Sequence, residues 1–311
     1  MLPIKLQIDD TFFQSEERNG FIVSEKMKKV WAVELDLLNE FTKVCSANKL
    51  KWFVHAGSLL GAVRHNGFIP WDDDIDVMMP RADYDRLCAI GPKSFHSPYF
   101  FQTEATDVYF CRNFARLRNS LTTAIQVWEK QFRYPYNQGI FIDIFPYDHL
   151  PDDDDELRNH LKDLQEAQNH CWQLRNLVHF YKPKKDKGFI KRNNYFIKHL
   201  WFKYINKSDG DYNKYLRGHL DLLTSYNSID TKRVGEMVIP PLGRHVWDKE
   251  WLDHELFLPF EMLQVAVPCH YEDCLNVSFG NDWHTPKPVN NYHGQILFDT
   301  EHPYTDYLKQ E

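Results

Sequence analysis

Two acidic residues separated by one apolar residue give the strongest chemical signal in the chain. Asp74 and Asp76 flank Ile75 and are followed by the apolar run Val-Met-Met. Because side chains two positions apart on a strand point to the same face, this spacing predicts that both carboxylates converge. Converging carboxylates repel each other unless a cation or a proton lies between them, and Mg²⁺ prefers hard oxygen ligands. The pair therefore predicts a divalent-metal site, with a solvated acidic turn as the alternative.

A third acid and a glycine turn extend this pattern. Asp143 lies inside the apolar run Gly-Ile-Phe-Ile-Asp-Ile-Phe, where an unpaired charge would be costly. Gly57 and Ser58 stand between a strand pattern and a helix pattern. Glycine there lets the backbone approach a phosphate, and the helix N-terminus offers N–H groups to an anion. Three acids on neighbouring strands meet the needs of metal-assisted phosphoryl transfer. The predicted metal ligands and catalytic residues are Asp74, Asp76 and Asp143.

Hydrophobic periodicity predicts the elements that position these residues. Apolar residues recur at steps of three and four in residues 26–47, after a Ser24 cap, and predict an amphipathic helix. Further helices are predicted at 59–64, 81–90 and 152–180, and strands at 52–56, 75–79, 99–103, 109–117, 122–128 and 139–145. The predicted fold class is α+β: a mixed sheet with flanking helices in residues 1–150, then a mainly helical part in residues 151–311.

Composition limits the classes of function. The chain has 311 residues, 43% of them hydrophobic and 26% charged, as in an ordinary soluble globular protein. A formal net charge of −7 argues against a nucleic-acid-binding protein. A secretion signal and a membrane-spanning stretch are both missing from the sequence, so a cytoplasmic location is expected. Cys269 and Cys274 leave zinc binding open, but their spacing is not a standard ligand pattern, and reduced, partly buried thiols are the favoured explanation.

Four sequence blocks resemble the LicD family, the phosphorylcholine transferases of bacterial surface polysaccharides, to which fukutin and the fukutin-related protein are more distant relatives. The blocks are AGSLLGAVRHNGFIPWDDDIDV (56–77), RLRNSLTT (116–123), GIFIDIFPYD (139–148) and FGNDWHTP (279–286). The resemblance implies a nucleotidyltransferase core of the polymerase-β type, whose Gly-Ser, Asp-x-Asp and third acid fall on the residues singled out above. Asp72 and Asp73 match the family's acidic run but precede the predicted strand, so they rank second.

The resemblance also implies a reaction. A phospho-alcohol would pass from a CDP-alcohol, with CDP-choline as the first candidate, to a hydroxyl of a glycan or lipid-linked glycan in lipopolysaccharide, teichoic acid or capsule. One or two Mg²⁺ (or Mn²⁺) ions would be held by Asp74 and Asp76. Asp143 would complete a second metal site and orient or deprotonate the acceptor hydroxyl, while Gly57 and Ser58 would contact the donor phosphate. Choline, ribitol, glycerol and ethanolamine all remain open as the transferred alcohol.

Four further side chains are candidates for donor binding. Arg64, His65 and Arg116 could supply positive charge to phosphate, and surface cations without a ligand are the alternative. Trp71 could stack on a base or a quaternary ammonium, or it could be buried beside the strand.

A basic aromatic segment stands apart from the acidic remainder. Residues 182–207 hold nine Lys or Arg side chains against one acid, interleaved with aromatic residues. This composition suits an anionic membrane surface or a charged lipid-linked glycan, and predicts peripheral contact at the inner face of the membrane. An ordinary basic helical hairpin that covers the core is the alternative.

Two other functions fit the same residues. A nucleotidyltransferase that moves an NMP group onto a small molecule or a protein would carry the same acids, but it would release pyrophosphate from an NTP instead of CMP. A non-catalytic glycan- or nucleotide-binding protein would tolerate Asn at positions 74 and 76. A glycosyltransferase using Asp-x-Asp fits less well, because the Gly-Ser turn and Asp143 would then be unexplained.

Overall fold

The computed structural model of the chain describes residues 2–107, 110, 112–127, 136–178, 197, 200, 210–238, 245–287 and 296–308. Its helices are α1 (Glu25–Asn48), α2 (Ala56–His65), α3 (Arg81–Ser94), α4 (Asp154–Val178), α5 (Gly210–Leu223), α6 (Tyr271–Phe279) and α7 (Tyr304–Leu308). Its first strands are β1 (Glu16–Arg18), β2 (Phe21–Val23), β3 (Phe53–Val54), β4 (Asp76–Pro80), β5 (Tyr99–Gln102), β6 (Ala115–Asn119), β7 (Thr123–Gln126) and β8 (Ile140–Leu150). The others are β9 (Arg233–Gly235), β10 (Val246–Asp248), β11 (Glu255–Phe260), β12 (Leu263–Pro268) and β13 (Ile296–Asp299).

A seven-stranded mixed sheet is organised around β8. This strand pairs in parallel with β4, antiparallel with β6 along its first half and antiparallel with β9 at its last three residues. β3, β5 and β10 lie beyond β4, β6 and β9 respectively. Ten of the eleven side chains of β8 are buried, which explains its nearly continuous apolar sequence. Asp143 therefore lies on a long and almost completely buried strand at the centre of the sheet.

Helix α1 covers part of this sheet and begins where the sequence predicts. The Ser24 side chain accepts a hydrogen bond from the Met27 N–H at 3.2 Å, and Lys49 ends the helix in the left-handed conformation. The apolar stripe of the helix, which includes Trp31 and Phe41, is fully buried against the core. Each such side chain contributes about 1.5–3 kcal/mol through burial. The helix is thus a rigid support for whatever packs on its inner face.

The predicted α+β class with a mixed sheet and flanking helices is confirmed. The described residues after 150 contain four helices, and they also contain five strands that periodicity did not predict. Two of these, β9 and β10, extend the central sheet, while the division of the chain near residue 150 stays a prediction. The described helices include none with the length and apolar character that crossing a bilayer requires. Apart from Ile197 and Leu200, the basic segment 182–207 lies outside the described residues.

Candidate active site

The parallel pairing of β4 and β8 places two of the predicted acids side by side. Asp76 and Asp143 are direct partners in the register of these strands, and the Asp143 N–H donates to the Ile75 carbonyl at 3.0 Å. Partners on adjacent strands have their side chains on the same face of the sheet. Two carboxylates that are 67 positions apart in sequence therefore meet on one face, as the sequence predicts.

Asp74, the remaining predicted acid, lies outside the paired strands. β4 begins at Asp76, so Asp74 lies in the loop before the strand, and the prediction that both acids lie on one strand is wrong. Strand pairing explains the difference, because β8 pairs with β4 only from Asp76 onward. Asp74 instead joins Asp72 and Asp73, and one carboxylate oxygen of each lies within 4.8 Å of the other two. Asp72 and Asp73, which were predicted to be less important than Asp74, are thus its close neighbours.

Contacts from α1 and α2 shape this acidic loop. The Trp31 indole N–H donates to the Asp72 carbonyl at 3.1 Å, and the Asp72 N–H donates to the Ile69 carbonyl at 2.9 Å. A Cβ atom at position 57 would lie 2.6 Å from Oδ2 of Asp72. Glycine at position 57 therefore leaves room for the Asp72 carboxylate, which a side chain there would displace.

Ser58 connects the start of α2 to the strand that carries Asp76. The buried Ser58 Oγ accepts a hydrogen bond from the Asp76 N–H at 2.9 Å, and the His55 N–H donates to the Asp76 carbonyl at 2.9 Å. The chain enters α2 through Ala56, which adopts a left-handed φ of 46°. A non-glycine residue in this region is strained by about 1–3 kcal/mol, and such strain is concentrated at functional sites. The Gly-Ser turn thus fixes the position of Asp76 through its backbone.

A sixth carboxyl group, Glu34 of α1, was missed by the sequence analysis. Its side chain is 1% exposed, and its Oε2 has no hydrogen-bond partner among the described residues. Burial raises the pKa of Glu34 well above its ordinary value, and the charges of four neighbouring acids raise it further. We call this group the acid cluster; its members are Glu34, Asp72, Asp73, Asp74, Asp76 and Asp143. A signal was present in the sequence, because Glu34 stands on the apolar stripe of α1, four residues after Val30.

The charges of the acid cluster fit a divalent cation. Burial raises the pKa of Asp74 well above its ordinary value, and the charges of Asp76, Asp72, Asp73 and Glu34 raise it further. Carboxylates in this situation hold a proton or a cation between them. The donors are all hard oxygens, which Mg²⁺ and Mn²⁺ prefer, and the Glu34 Oε2 atom lacks a partner in the described part of the chain. The residues present therefore suit the metal that the sequence predicts.

Arg116 lies beside the acid cluster on β6. Its Nε and Nη2 atoms donate to the two Asp143 oxygens at 2.5 and 3.0 Å, and its guanidinium lies 3.8 Å from the centre of the Phe141 ring. Arg116 is 4% exposed, so the predicted alternative of a surface cation does not describe it. A buried bidentate pair of this kind holds the Asp143 carboxylate in one orientation.

Arg64 and His65 lie at the end of α2, and Arg64 contacts the C-terminal sequence block. The Arg64 guanidinium donates to the His65 Nε2 at 2.9 Å and to the Trp283 carbonyl at 2.6 Å. Burial, with the charges of Arg64 and Arg18, lowers the pKa of His65 to about 4. His65 is therefore neutral at pH 7, and it could contact a phosphate only through a hydrogen bond.

Trp71 and the two cysteines complete the set of predicted residues. Trp71 is 8% exposed and packs edge-on against Phe21, with 6.2 Å between ring centres, so burial beside the strand describes it. The Cys269 thiol donates to the Trp251 carbonyl at 3.3 Å, and burial raises the pKa of the Cys274 thiol to about 12. Binding roles for Trp71 and for the cysteines stay predictions.

Comparison with known proteins identifies the segment that carries this site. Residues 49–181 match the family model described as LicD/FKTN/FKRP, nucleotidyltransferase domain. The lipopolysaccharide cholinephosphotransferase LicD of Haemophilus influenzae is 35% identical over 121 residues, which are 38% of this chain and 43% of that protein. An uncharacterised protein of Rickettsia prowazekii is 27% identical over 117 residues, covering 36% of this chain and 41% of that protein. The chain thus spans less than half the length of either relative.

Proposed function

We propose that the chain is a divalent-metal-dependent phosphotransferase of the LicD family, whose model matches residues 49–181. The proposed reaction moves phosphocholine from CDP-choline to a hydroxyl group of a cell-surface glycan. The observation that carries the proposal is the register of β4 and β8, which sets Asp76 beside Asp143. Acidic loop residues and a Gly-Ser turn lie next to that pair, and this combination suits phosphoryl transfer better than simple binding.

The roles of individual residues follow from their contacts. Asp74 and Asp76 would hold the metal, with Asp72 and Asp73 contributing directly or through water. A bound Mg²⁺ or Mn²⁺ supplies charge neutralisation for the pyrophosphate of the donor. Ser58 keeps Asp76 in place through its hydrogen bond to the Asp76 N–H.

Arg116 and Asp143 form the other side of the proposed site. Asp143 is oriented by Arg116, whose guanidinium brings positive charge to the same face of the sheet. This arrangement supports electrostatic stabilisation of the phosphate that is transferred.

The proposed transfer is balanced as a single displacement. The acceptor hydroxyl oxygen forms a bond to the phosphorus that carries choline, and the bond from that phosphorus to the bridging oxygen of CMP breaks. CMP leaves with the electron pair, and a carboxylate of the acid cluster accepts the hydroxyl proton. The chain contributes mainly by positioning the two substrates and by balancing charge.

The identity of the substrates rests on the relative from Haemophilus influenzae, whose name specifies choline phosphate and lipopolysaccharide. We propose a glycan or lipid-linked glycan of the same kind as the acceptor. The donor would be met in the cytoplasm, where nucleotide-activated alcohols are made. Peripheral contact of residues 182–207 with the inner membrane face remains part of the proposal.

A panel of donors tests the reaction. The full chain would be incubated with Mg²⁺ or Mn²⁺, lipopolysaccharide or teichoic acid, and CDP-choline, CDP-ethanolamine, CDP-glycerol or CDP-ribitol in turn. We expect CMP release with CDP-choline that depends on both the metal and the glycan, together with choline phosphate on the glycan. If none of the CDP-alcohols yields CMP with any glycan, the proposal is wrong.

A second candidate is favoured by the description of the matched family model as a nucleotidyltransferase domain. In that case the chain would transfer an NMP group from an NTP. The same assay, run with the four NTPs, would then release pyrophosphate and leave the NMP on an acceptor. Pyrophosphate release without CMP release would favour this candidate over the phosphotransferase.

A further inference from the structure

A second group of side chains that offer metal-ligand atoms lies outside the acid cluster. His55, Glu236 and His245 each place one ligand atom within 4.8 Å of the other two. The proposed transfer uses none of these three side chains. We call them the histidine cluster. His55 precedes α2, whereas Glu236 and His245 adjoin the paired strands β9 and β10.

The geometry of the histidine cluster is close to that of a zinc site. His245 Nδ1 lies 3.4 Å from Glu236 Oε2, and His55 Nε2 lies 4.0 Å from the same oxygen. Ligand atoms about 2.0–2.1 Å from a tetrahedral Zn²⁺ are about 3.4 Å apart. The distance from His245 to Glu236, which is also within hydrogen-bond reach, matches this value, and the distance from His55 to Glu236 requires a shift of about half an ångström. The two imidazole nitrogens lie within 4.8 Å of each other.

His55 provides the observation that points to a ligand. It is 2% exposed, and its Nε2 has no hydrogen-bond partner within the described ranges. The 4.0 Å separation from Glu236 is too long for a hydrogen bond. An unsatisfied buried polar atom costs about 1–3 kcal/mol, so a bound ion that accepts this lone pair would remove a penalty. Burial, with the charge of His245, lowers the pKa of His55 well below its ordinary value, which keeps the imidazole neutral and able to bind a metal.

The surroundings hold the three ligands in place. The Val238 N–H donates to Glu236 Oε1 at 2.6 Å, and Glu236 Oε2 lies within hydrogen-bond reach of His245 Nδ1 at 3.4 Å. The ring of Trp247 lies 5.6 Å from that of His55 and 5.7 Å from that of His245. A hydrogen-bonded ligand oxygen and a tightly packed shell are typical of metal sites. The His245 side chain is 24% exposed, which provides a path for the ion.

We propose that His55, Glu236 and His245 bind one Zn²⁺ ion that joins the β9–β10 strands to the start of α2. Two imidazole nitrogens and one carboxylate oxygen match the ligands of zinc better than those of Mg²⁺. The His55 N–H donates to the Asp76 carbonyl, so the ion would brace the strand end that carries the acid cluster. The role is structural, and it does not depend on which group the protein transfers.

Zinc content and thermal stability of the full chain test the proposal. After chelation and dialysis, the wild-type chain should take up one equivalent of Zn²⁺ with a rise in Tm. X-ray absorption at the zinc edge should show nitrogen and oxygen ligands without sulfur. His245→Ala, at a partly exposed position, should lower zinc affinity by more than about 100-fold and abolish the rise in Tm, because loss of even an outer partner costs about 10–100-fold.

Three control variants make the result specific. His302→Ala removes an exposed histidine whose side chain is 63% exposed, and it should leave zinc uptake unchanged. Cys269→Ser and Asp74→Asn should also retain zinc, since one tests the cysteine pair and the other the acid cluster. A wild-type chain that takes up no zinc overturns the proposal. Loss of zinc in Cys269→Ser with retention in His245→Ala also overturns it.

Discussion

The acid cluster and the histidine cluster are linked by one backbone hydrogen bond, from His55 to Asp76, and they differ in the charge and type of their side chains. The first gathers six carboxyl groups from α1, the loop before β4, β4 itself and β8. The second combines one carboxylate with two imidazoles. His55 belongs to the histidine cluster through its side chain and contacts the acid cluster through its backbone N–H, which donates to Asp76. Two donor sets of different chemistry can therefore stand close together without sharing a ligand.

The difference between the clusters shows how a protein can separate metals by ligand type. Hard oxygens with an excess of negative charge favour Mg²⁺ or Mn²⁺, whereas imidazole nitrogens favour zinc. Charge also sets the cost of an empty site. Burial, and after it mutual repulsion, raises the pKa of Asp74 and of Glu34, while burial lowers the pKa of His55 and keeps its imidazole neutral. Removal of metal should therefore affect the acid cluster through charge and the histidine cluster through an unsatisfied nitrogen.

The largest expected effect separates the two clusters by activity. Asp76→Asn should lower phosphotransfer by about 10³-fold or more, because it removes a charge needed at the transferring phosphate. The free energy of unfolding of this variant should not fall, because the substitution removes a carboxylate that neighbouring acids repel. Its zinc content should not change. CMP release, urea unfolding and metal analysis measure the three quantities.

Asp163→Asn, an exposed acid in α4, is the matched control and should keep full activity. Unaltered CMP release in Asp76→Asn would place catalysis elsewhere. Loss of zinc in the same variant would show that the two clusters form one site.

Much of the acid cluster could be predicted from local sequence. The apolar residues on both sides of Asp143 indicate a buried strand, and a charge at that position requires a partner. The Gly-Ser turn marks the end of a strand and the start of a helix. Each of these signals lies within a few residues, so no knowledge of distant contacts is needed to read them.

The remaining features depend on contacts between distant parts of the chain. The start of β4 is set by its pairing with β8, which leaves Asp74 in the loop. Glu34 becomes part of the site only because the loop after Trp71 packs on α1. The three-residue strands β9 and β10 are too short for any periodicity to identify. The histidine cluster therefore could not be predicted from the sequence.

The next largest effect concerns the buried ion pair between Arg116 and Asp143 in the acid cluster. Arg116→Ala leaves the Asp143 carboxylate without its buried partner, and breaking such a pair costs about 3–5 kcal/mol. Urea unfolding should detect this loss. Arg86→Ala removes an exposed partner of Asp83 and should cost about 0–1 kcal/mol, which makes it the matched control. Equal losses in both variants would mean that burial of the Arg116 pair has no energetic consequence.

The smallest expected effect is a pH-dependent gain in the free energy of unfolding when Glu34 is replaced by Gln. Because its folded pKa is raised, the stability that comes from the protonated form is complete below the ordinary value of 4.5 and is lost as pH rises through the folded pKa. Glu34→Gln does not titrate. In EDTA, its free energy of unfolding should match that of wild type below pH 4.5 and exceed it by about 1–3 kcal/mol at higher pH.

Magnesium distinguishes a metal ligand from a merely buried acid at this position. If Glu34 faces the ion, saturating Mg²⁺ should stabilise wild type more than Glu34→Gln. The gap between their free energies of unfolding at pH 8 should then become smaller. Glu40→Gln, on the same helix but partly exposed, should show no gap under either condition. A gap that is independent of pH would contradict the raised pKa. A pH-dependent gap that Mg²⁺ leaves unchanged would exclude Glu34 from the metal's surroundings, and the acid cluster would then act through its five aspartates.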